Sequence, residues 1–398
     1  MDKVIIHEKI EQAVGILKEK DIDMWITFAR ESSIMTDPVI EIIIGQNSTW
    51  ESAFIISKDG DTTAILGEME KENFEGKSGF KNVIGYVKSF SQPLLEYLKK
   101  KNPKNIAINY SQNSVLADGL THGFYLKILD YLKGTGFENR FISAEEIISA
   151  LKGRKSATEI SIMKEAVIKT LDIFDEVTKF IKPGKSEKEI ALFVKSILQE
   201  NKFEPAWEEE TCPAVFTGPD TQSAHSGPTD RKVEKGHLVN MDFGILYKGY
   251  CSDLQRTWYV LKDGEDKAPA EVQKGFEVIR DAIQKVADNL KPGVAGCDMD
   301  DIARNYIAER GYEEFPHGLG HQVGRRVHDG GCGLFPRWEK YGNAPFMKVE
   351  KNQIFTIEPR LTVKGYGTST LEEEVVVKEN GAEFISPPQK ELILISTD

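Results

Sequence analysis

The chain has 398 residues, of which 40% are hydrophobic and 29% charged, and a formal net charge of −12. That length accommodates two domains with buried cores, the composition is that of a globular protein, and the negative balance speaks against a nucleic-acid partner. No apolar run reaches the length of a membrane span and Met1–Ile10 is too polar for a signal peptide, so a cytoplasmic enzyme without a membrane partner is the simplest class. In chain order, His7–Lys20 has helical spacing, and Met24–Phe28, Ala53–Ser57 and Thr62–Leu66 read as strands. A helix from Pro93 to Lys101, a strand at Ile106–Asn109 and a helix near Ser114–Leu132 complete an α/β unit. Arg30 and Glu31 stand just after a strand and read as a solvated loop pair. Ser143–Lys155 is the passage to a second domain, giving expected domains of 1–149 and 150–398.

The second domain repeats itself. Ser156 and Glu159 form a capping box at the head of a helix that ends at Lys182-Pro183-Gly184, and Ser186 and Glu189 open the next helix in the same way. Later, a helix from Glu271 to Leu290 runs into Lys291-Pro292-Gly293 and then a helix from about Asp298 to Arg310. Two helix, KPG, helix, strand units predict a duplicated half-domain with the site between its halves.

Chemistry-bearing residues follow each pair of helices. Leu238–Val260 reads as two strands joined at Lys248-Gly249, which places Asp242 and Asp253 on one face as diagonal neighbours. Amid apolar residues, two such carboxylates repel unless a cation lies between them. The stretch EEFPHGLGHQVGRRVHD, Glu313–Asp329, holds His317, His321 and His328 among glycines that permit close backbone approach. Gly318 follows His317, so the zinc-protease pattern with a glutamate at that place is absent. Gln353–Arg360 is an apolar strand carrying Glu358, and Ser369–Gly381 is a strand headed by Glu372, Glu373 and Glu374, with Glu372 and Glu374 on one face. Cys212, Cys251, Cys297 and Cys332 lack zinc-site spacing and read as free thiols.

From about Arg154 to its end the chain resembles the pita-bread metallopeptidases, which include prolidase, aminopeptidase P and methionine aminopeptidase. The resemblance rests on Asp242 in the DFG element, Asp253 in YCSDLQRT, His321 in HGLGH, Glu358 in IEP and Glu372 in LEE. It implies an α/β (α+β) fold class: an N-terminal creatinase-like α/β domain followed by a duplicated pita-bread catalytic domain. It also implies that these five residues are the ligands of two divalent metal ions. Four carboxylates and one imidazole suit manganese or cobalt first, with zinc or iron also suited. The implied reaction is hydrolysis of an Xaa-Pro bond in a small peptide by a metal-bridging hydroxide, with Asp253 and Glu372 shared between the ions. By the same resemblance Glu358 shuttles the proton, His317 and His328 steady the tetrahedral intermediate, and His225, His317 and His328 bind substrate. A homodimer is implied as well.

The chain departs from the proline-directed branch at three places. Thr370 stands where an arginine is usual two positions before the first glutamate of the last motif, Arg360 stands where glycine usually follows IEP, and Arg325-Arg326 lie within the histidine motif. Arg325 or Arg360 is therefore a candidate clamp for an anionic substrate group. The alternative is that both arginines pair with surrounding glutamates. The same departures keep open a second function, a hydrolase or lyase of a small anionic non-peptide metabolite on the same fold and metal site.

Overall fold

Met24–Ala29 forms a strand buried along its whole length in the computed structural model, which describes residues 3–219, 226–385 and 387–396. The chain divides into two units, Met1–Lys152 and Gly153–Asp398. The expected boundary between residues 149 and 150 falls, like this division, inside the helix Glu145–Gly153.

The first unit is built on a six-stranded sheet. Its strands are β1 (Met24–Ala29), β2 (Ser52–Ser57), β3 (Thr62–Gly67), β4 (Asn82–Tyr86), β5 (Ile106–Ile108) and β6 (Phe141–Ser143), in the order β4-β3-β2-β1-β5-β6. The central pairings β1–β2 and β2–β3 are antiparallel, and the outer pairings are parallel. The two-residue period sorts side chains to both faces. Trp25 packs with Ile10 of the helix Lys3–Glu19 and with Ile147 and Ile148, whereas Met24, Ile26 and Phe28 pack with Leu94, Leu98, Phe124 and Ile128. Two details differ from expectation. The helix expected from Ser114 begins only at His122, because Leu120 donates its backbone N–H to the Asn109 carbonyl at 2.8 Å instead of to a helical partner. The edge strand β4 escaped notice because its half-exposed residues, with Gly85 among them, carry little apolar alternation.

In the second unit the repeat is explicit. Helices α1 (Ala157–Phe180) and α2 (Glu187–Asn201) both open with complete capping boxes. Their counterparts are α3 (Ala270–Asn289) and α4 (Gly296–Ala308). The KPG corners are alike: Gly184 and Gly293 have φ of 90° and 92°, and they donate to the carbonyls of Val233 and Val349 at 2.8 and 2.9 Å. The equivalence runs on into the segments that lead to the strands, where Lys232-Val233-Glu234-Lys235 and Lys348-Val349-Glu350-Lys351 are identical and are followed by left-handed Gly236 and Asn352.

In the first half β7 (Ala214–Thr217), β8 (Leu238–Phe243) and β9 (Leu254–Val260) form a sheet completed by Ile393–Ile395, which pairs with Trp258–Val260. Phe174 of α1 packs on it through Phe243 and Trp258, each with ring centroids 6.0 Å away. In the second half β10 (Ile354–Ile357) pairs with Glu373–Lys378 under α3 and α4, while Arg360–Val363 and Gly367–Thr370 make a separate hairpin. The strand expected across 369–381 is thus broken at Leu371-Glu372. There Glu372 bridges to Gln255, exchanging backbone hydrogen bonds of 3.2 and 3.4 Å, so the two half-sheets meet at this residue. The four cysteines are free and buried. Among the described residues no helix is long and apolar enough to cross a membrane.

Candidate metal centre

The aspartates are placed by a turn. Lys248 and Gly249 have φ of 49° and 82°, the geometry of a two-residue hairpin, and Tyr247 pairs with Tyr250. That register carries Gln255 opposite Asp242 and leaves Asp253 two residues from Gln255 on the same face. Next to this rung a Cβ on Gly244 would meet the Ser252 carbonyl oxygen at 1.8 Å, so only glycine lets the strands close here. The backbone N–H of Asp253 donates to Glu374 Oε1 at 2.7 Å and holds the bend.

The glutamates and the histidine are placed by the second half. The register pairing Ile357 with Glu373 brings Glu358 to the rung of Glu372. The loop carrying His321 runs against the end of β10: Thr356 donates to the His321 carbonyl at 2.9 Å and Glu358 to the Leu319 carbonyl at 2.8 Å. A Cβ on Gly320 would lie 2.0 Å from the Thr356 carbonyl oxygen, which explains the glycine. Behind the loop, Arg304 of α4 makes a two-point ion pair with buried Asp300 at 2.8 and 3.0 Å and donates to the carbonyls of Phe315 and His317 at 2.7 and 2.9 Å. Replacing Arg304 by methionine leaves the Asp300 carboxylate buried without its cation. The expected cost is roughly 3–5 kcal/mol of stability, measured by denaturant unfolding. A loss below about 1 kcal/mol would show that the pair does not hold the loop.

The five residues converge. Ligand-competent atoms of Asp253, His321 and Glu372 all lie within 4.8 Å of one another. His321 Nε2 is 3.5 Å from Asp253 Oδ2 and 3.4 Å from Glu358 Oε1. Asp242 joins through Gln255, whose Nε2 donates to Asp242 Oδ2 at 3.4 Å and to Glu358 Oε2 at 3.3 Å. Burial pushes Asp242 up to about 7, and burial with mutual repulsion holds Asp253, Glu358 and Glu372 well above the carboxylate range. Burial, aided by neighbouring His328, pushes His321 down to about 3, so its ring is neutral. Its Nδ1 faces the Gln322 carbonyl at 3.4 Å, which assigns the proton to Nδ1 and leaves the Nε2 lone pair towards the carboxylates.

Among the described residues, Asp242 Oδ1 and both carboxylate oxygens of Glu372 are buried without a hydrogen-bond partner. Orphaned acceptors of this kind are costly, and divalent cations are what satisfy several at once. The residues present therefore fit a metal centre.

Around this cluster lies a cavity of about 810 Å³ lined also by His317, His328, Arg326 and Arg360. The His328 ring is 4.3 Å from that of His321. Arg325 is not among the lining residues; its guanidinium lies 5.3 Å over the Tyr250 ring. The reason is local, since its backbone N–H is tied to Asp329 Oδ2 at 2.8 Å and the side chain turns towards Gly249. His225 lies outside the described residues. Sequence reasoning passed over Gln255, Thr370 and Glu374 as participants. The turn register contained the signal for Gln255, and the shared face with Glu372 the signal for Glu374, which burial pushes up to about 8.

Residues 161–379 match the model of metallopeptidase family M24. An Xaa-Pro dipeptidase of Pyrococcus horikoshii is 27% identical over 396 residues, covering 98% of this chain and 99% of that protein. An Xaa-Pro dipeptidase structure from Bacillus anthracis has a TM-score of 0.72 at 24% identity, covering 98% of this chain and 99% of its own. An X-Pro aminopeptidase structure from Thermotoga maritima has a TM-score of 0.70 at 23% identity, covering 97% and 99%. These two structures share the fold, two α/β-built units of which the second is the duplicated pita-bread domain. Divalent metal use follows from the family, and with more than half its length matched by the family model the chain belongs to metallopeptidase family M24 and is a peptidase.

Proposed function

We propose that this peptidase hydrolyses Xaa-Pro peptide bonds, as a dipeptidase or an aminopeptidase, with Asp242, Asp253, His321, Glu358 and Glu372 holding two divalent ions. The observation carrying this reading is the convergence of Asp253, His321 and Glu372 within 4.8 Å on the wall of a cavity that also presents His317 and His328. The bound ions supply acidification of a water and polarisation of the scissile carbonyl. Glu358, whose Oε1 lies 3.5 Å from Thr356 Oγ1, would hold a proton at its carboxylate and deliver it to the leaving nitrogen. His317 has Nδ1 2.8 Å from the Gly318 carbonyl, so Nδ1 carries the proton there; with His328 it lines the cavity, and the pair would steady the oxyanion. Manganese or cobalt, a cytoplasmic setting and a homodimer complete the proposal.

Arg360 is the candidate for binding the substrate's anionic group. It lines the cavity, burial lowers its pKa with no carboxylate opposing, and among the described residues its side chain makes no ion pair. The alternative role, pairing with a glutamate, therefore has no support at this position. A charge-assisted hydrogen bond contributes roughly 1.5–3 kcal/mol, so Arg360→Gln is expected to raise KM about 10–100-fold for a substrate with a free carboxylate while leaving kcat nearly unchanged. An unchanged KM would remove the clamp.

The deciding experiment strips the protein with a chelator, reloads it with manganese, cobalt or zinc, and offers Xaa-Pro dipeptides and Xaa-Pro-Yaa tripeptides. Metal-restored cleavage of dipeptides establishes a dipeptidase, and preference for tripeptides an aminopeptidase. Metal uptake without cleavage of either set overturns the Xaa-Pro reading. Arg360, a cation in the cavity wall, would then favour the second function, hydrolysis or lysis of a small anionic metabolite.

A further inference from the structure

We propose that Gln255 is a positioning residue for the metal centre, a neutral donor that fixes one terminal ligand from each half-domain and thereby sets which carboxylate oxygens face the ions. The inference rests on the metal-binding reading above but not on the peptide substrate.

Three observations carry it. First, Gln255 is buried at the seam: its Nε2 touches Asp242 Oδ2 from the first half and Glu358 Oε2 from the second, and its backbone bridges to Glu372. One side chain thus links carboxylates from both copies of the repeat. It uses one oxygen of each, and among the described residues Asp242 Oδ1 has no partner.

Second, the repeat gives the position a meaning. Asp242 lies nine residues after Val233, and Glu358 nine after Val349, so the two are equivalent. Gln255 stands opposite Asp242, and the register of the second half sets Glu372 opposite Glu358. Gln255 and Glu372 therefore occupy the same rung in the two halves, one an amide and the other a carboxylate. Four ligand carboxylates balance two divalent ions. A glutamate at Gln255 would add a buried negative charge, and a lysine or arginine would compete with the ions for the same oxygens. An amide satisfies the outer oxygens without changing the charge.

Third, the amide is held in one orientation. Thr370 Oγ1 donates to Gln255 Oε1 at 2.5 Å, and Thr370 is itself fixed by Thr257, whose hydroxyl accepts from the Thr370 N–H at 3.1 Å and donates to its carbonyl at 2.5 Å. Turned the other way, the Gln255 carbonyl would confront two carboxylate oxygens. Outer partners of this kind orient metal ligands, and their loss typically lowers metal affinity about 10–100-fold.

The test is calorimetric titration of stripped protein with manganese ion, with metal content counted by elemental analysis and no substrate present. Gln255→Met keeps the side-chain length and removes the donor; it is expected to bind manganese about 10–100-fold more weakly. Thr370→Val keeps the donor and releases its orientation, so a smaller loss in the same direction is expected. A folded Gln255→Met protein that binds manganese with wild-type stoichiometry and affinity within about twofold overturns the proposal, even if its stripped form melts lower, because that is a structural role alone. Should Gln255→Met fail to fold, Thr370→Val decides: weakened binding supports the proposal and unchanged binding overturns it. If both variants bind metal weakly while no Xaa-Pro peptide is cleaved even by wild type, the positioning role stands and only the substrate assignment falls.

Discussion

Asp253→Asn is expected to abolish metal-dependent turnover, by at least about a thousandfold or roughly 4 kcal/mol in the barrier, and at the same time to raise the melting temperature of the metal-stripped protein. The two effects share a cause. Asp253 sits between the halves, 3.5 Å from His321 Nε2 and bonded through its backbone to Glu374, and its carboxylate faces the repulsion of Glu372, Asp242 and Glu374. Asparagine keeps the shape and the backbone bond while removing one charge that only a cation compensates. Stripped and reloaded protein, compared in a peptide assay and by thermal melting, separates the outcomes. More than a tenth of wild-type activity in the reloaded variant would exclude Asp253 as a ligand.

The second large effect concerns pH. In stripped protein, burial raises the Asp242 carboxyl to about 7 and that of Glu374 to about 8, and holds Asp253, Glu358 and Glu372 well above their ordinary values. A carboxyl whose folded pKa exceeds its unfolded one binds its proton more tightly when folded. Its stabilising contribution is complete below the unfolded value near 4 and is lost as pH rises through the folded value. The stripped protein is therefore expected to be most stable near pH 4 and to lose stability between pH 4 and 8. Divalent metal, which binds the ionised carboxylates, reverses the slope, so the stabilisation by metal grows with pH. Melting temperatures at pH 5 and 8 with and without manganese test this. A stripped protein more stable at pH 8 would contradict the burial of these charges.

Much of this arrangement was legible in the sequence, for reasons that differ by element. The hairpin register was readable because Lys248-Gly249 is a strong turn signal and a two-residue period leaves one solution once the turn is fixed. The helix repeat was readable from capping boxes and KPG corners. Its continuation into Lys232–Lys235 and Lys348–Lys351 was equally visible, but each is a short, mostly charged segment with a single buried valine, Val233 or Val349, and so carries no apolar periodicity. The break at Leu371-Glu372 was not readable, because a run of glutamates and valines has the same alternation whether or not the chain changes partners. Gln255 was missed for a chemical reason: an amide in a strand carries no charge, and its importance lies in two carboxylates, one of them 103 positions away. The direction of Arg325 was equally hidden, since a stack on Tyr250 depends on contacts that no local pattern records.

The meeting of the half-sheets has a further consequence for the order in which the site comes into being during synthesis. Asp253 leaves the ribosome about a hundred residues ahead of Glu358, an interval of roughly 5–20 s at 5–20 residues per second. For about the first two thirds of that interval the chain has two aspartates and no histidine ligand, because His321 follows Asp253 along the chain. Its sheet also awaits Ile393–Ile395, the strand that flanks Trp258–Val260. The nascent chain thus has no complete metal centre to fill and no assembled catalytic cluster to act on neighbouring peptides. Competence arrives late and all at once, when the second copy of the repeat closes against the first.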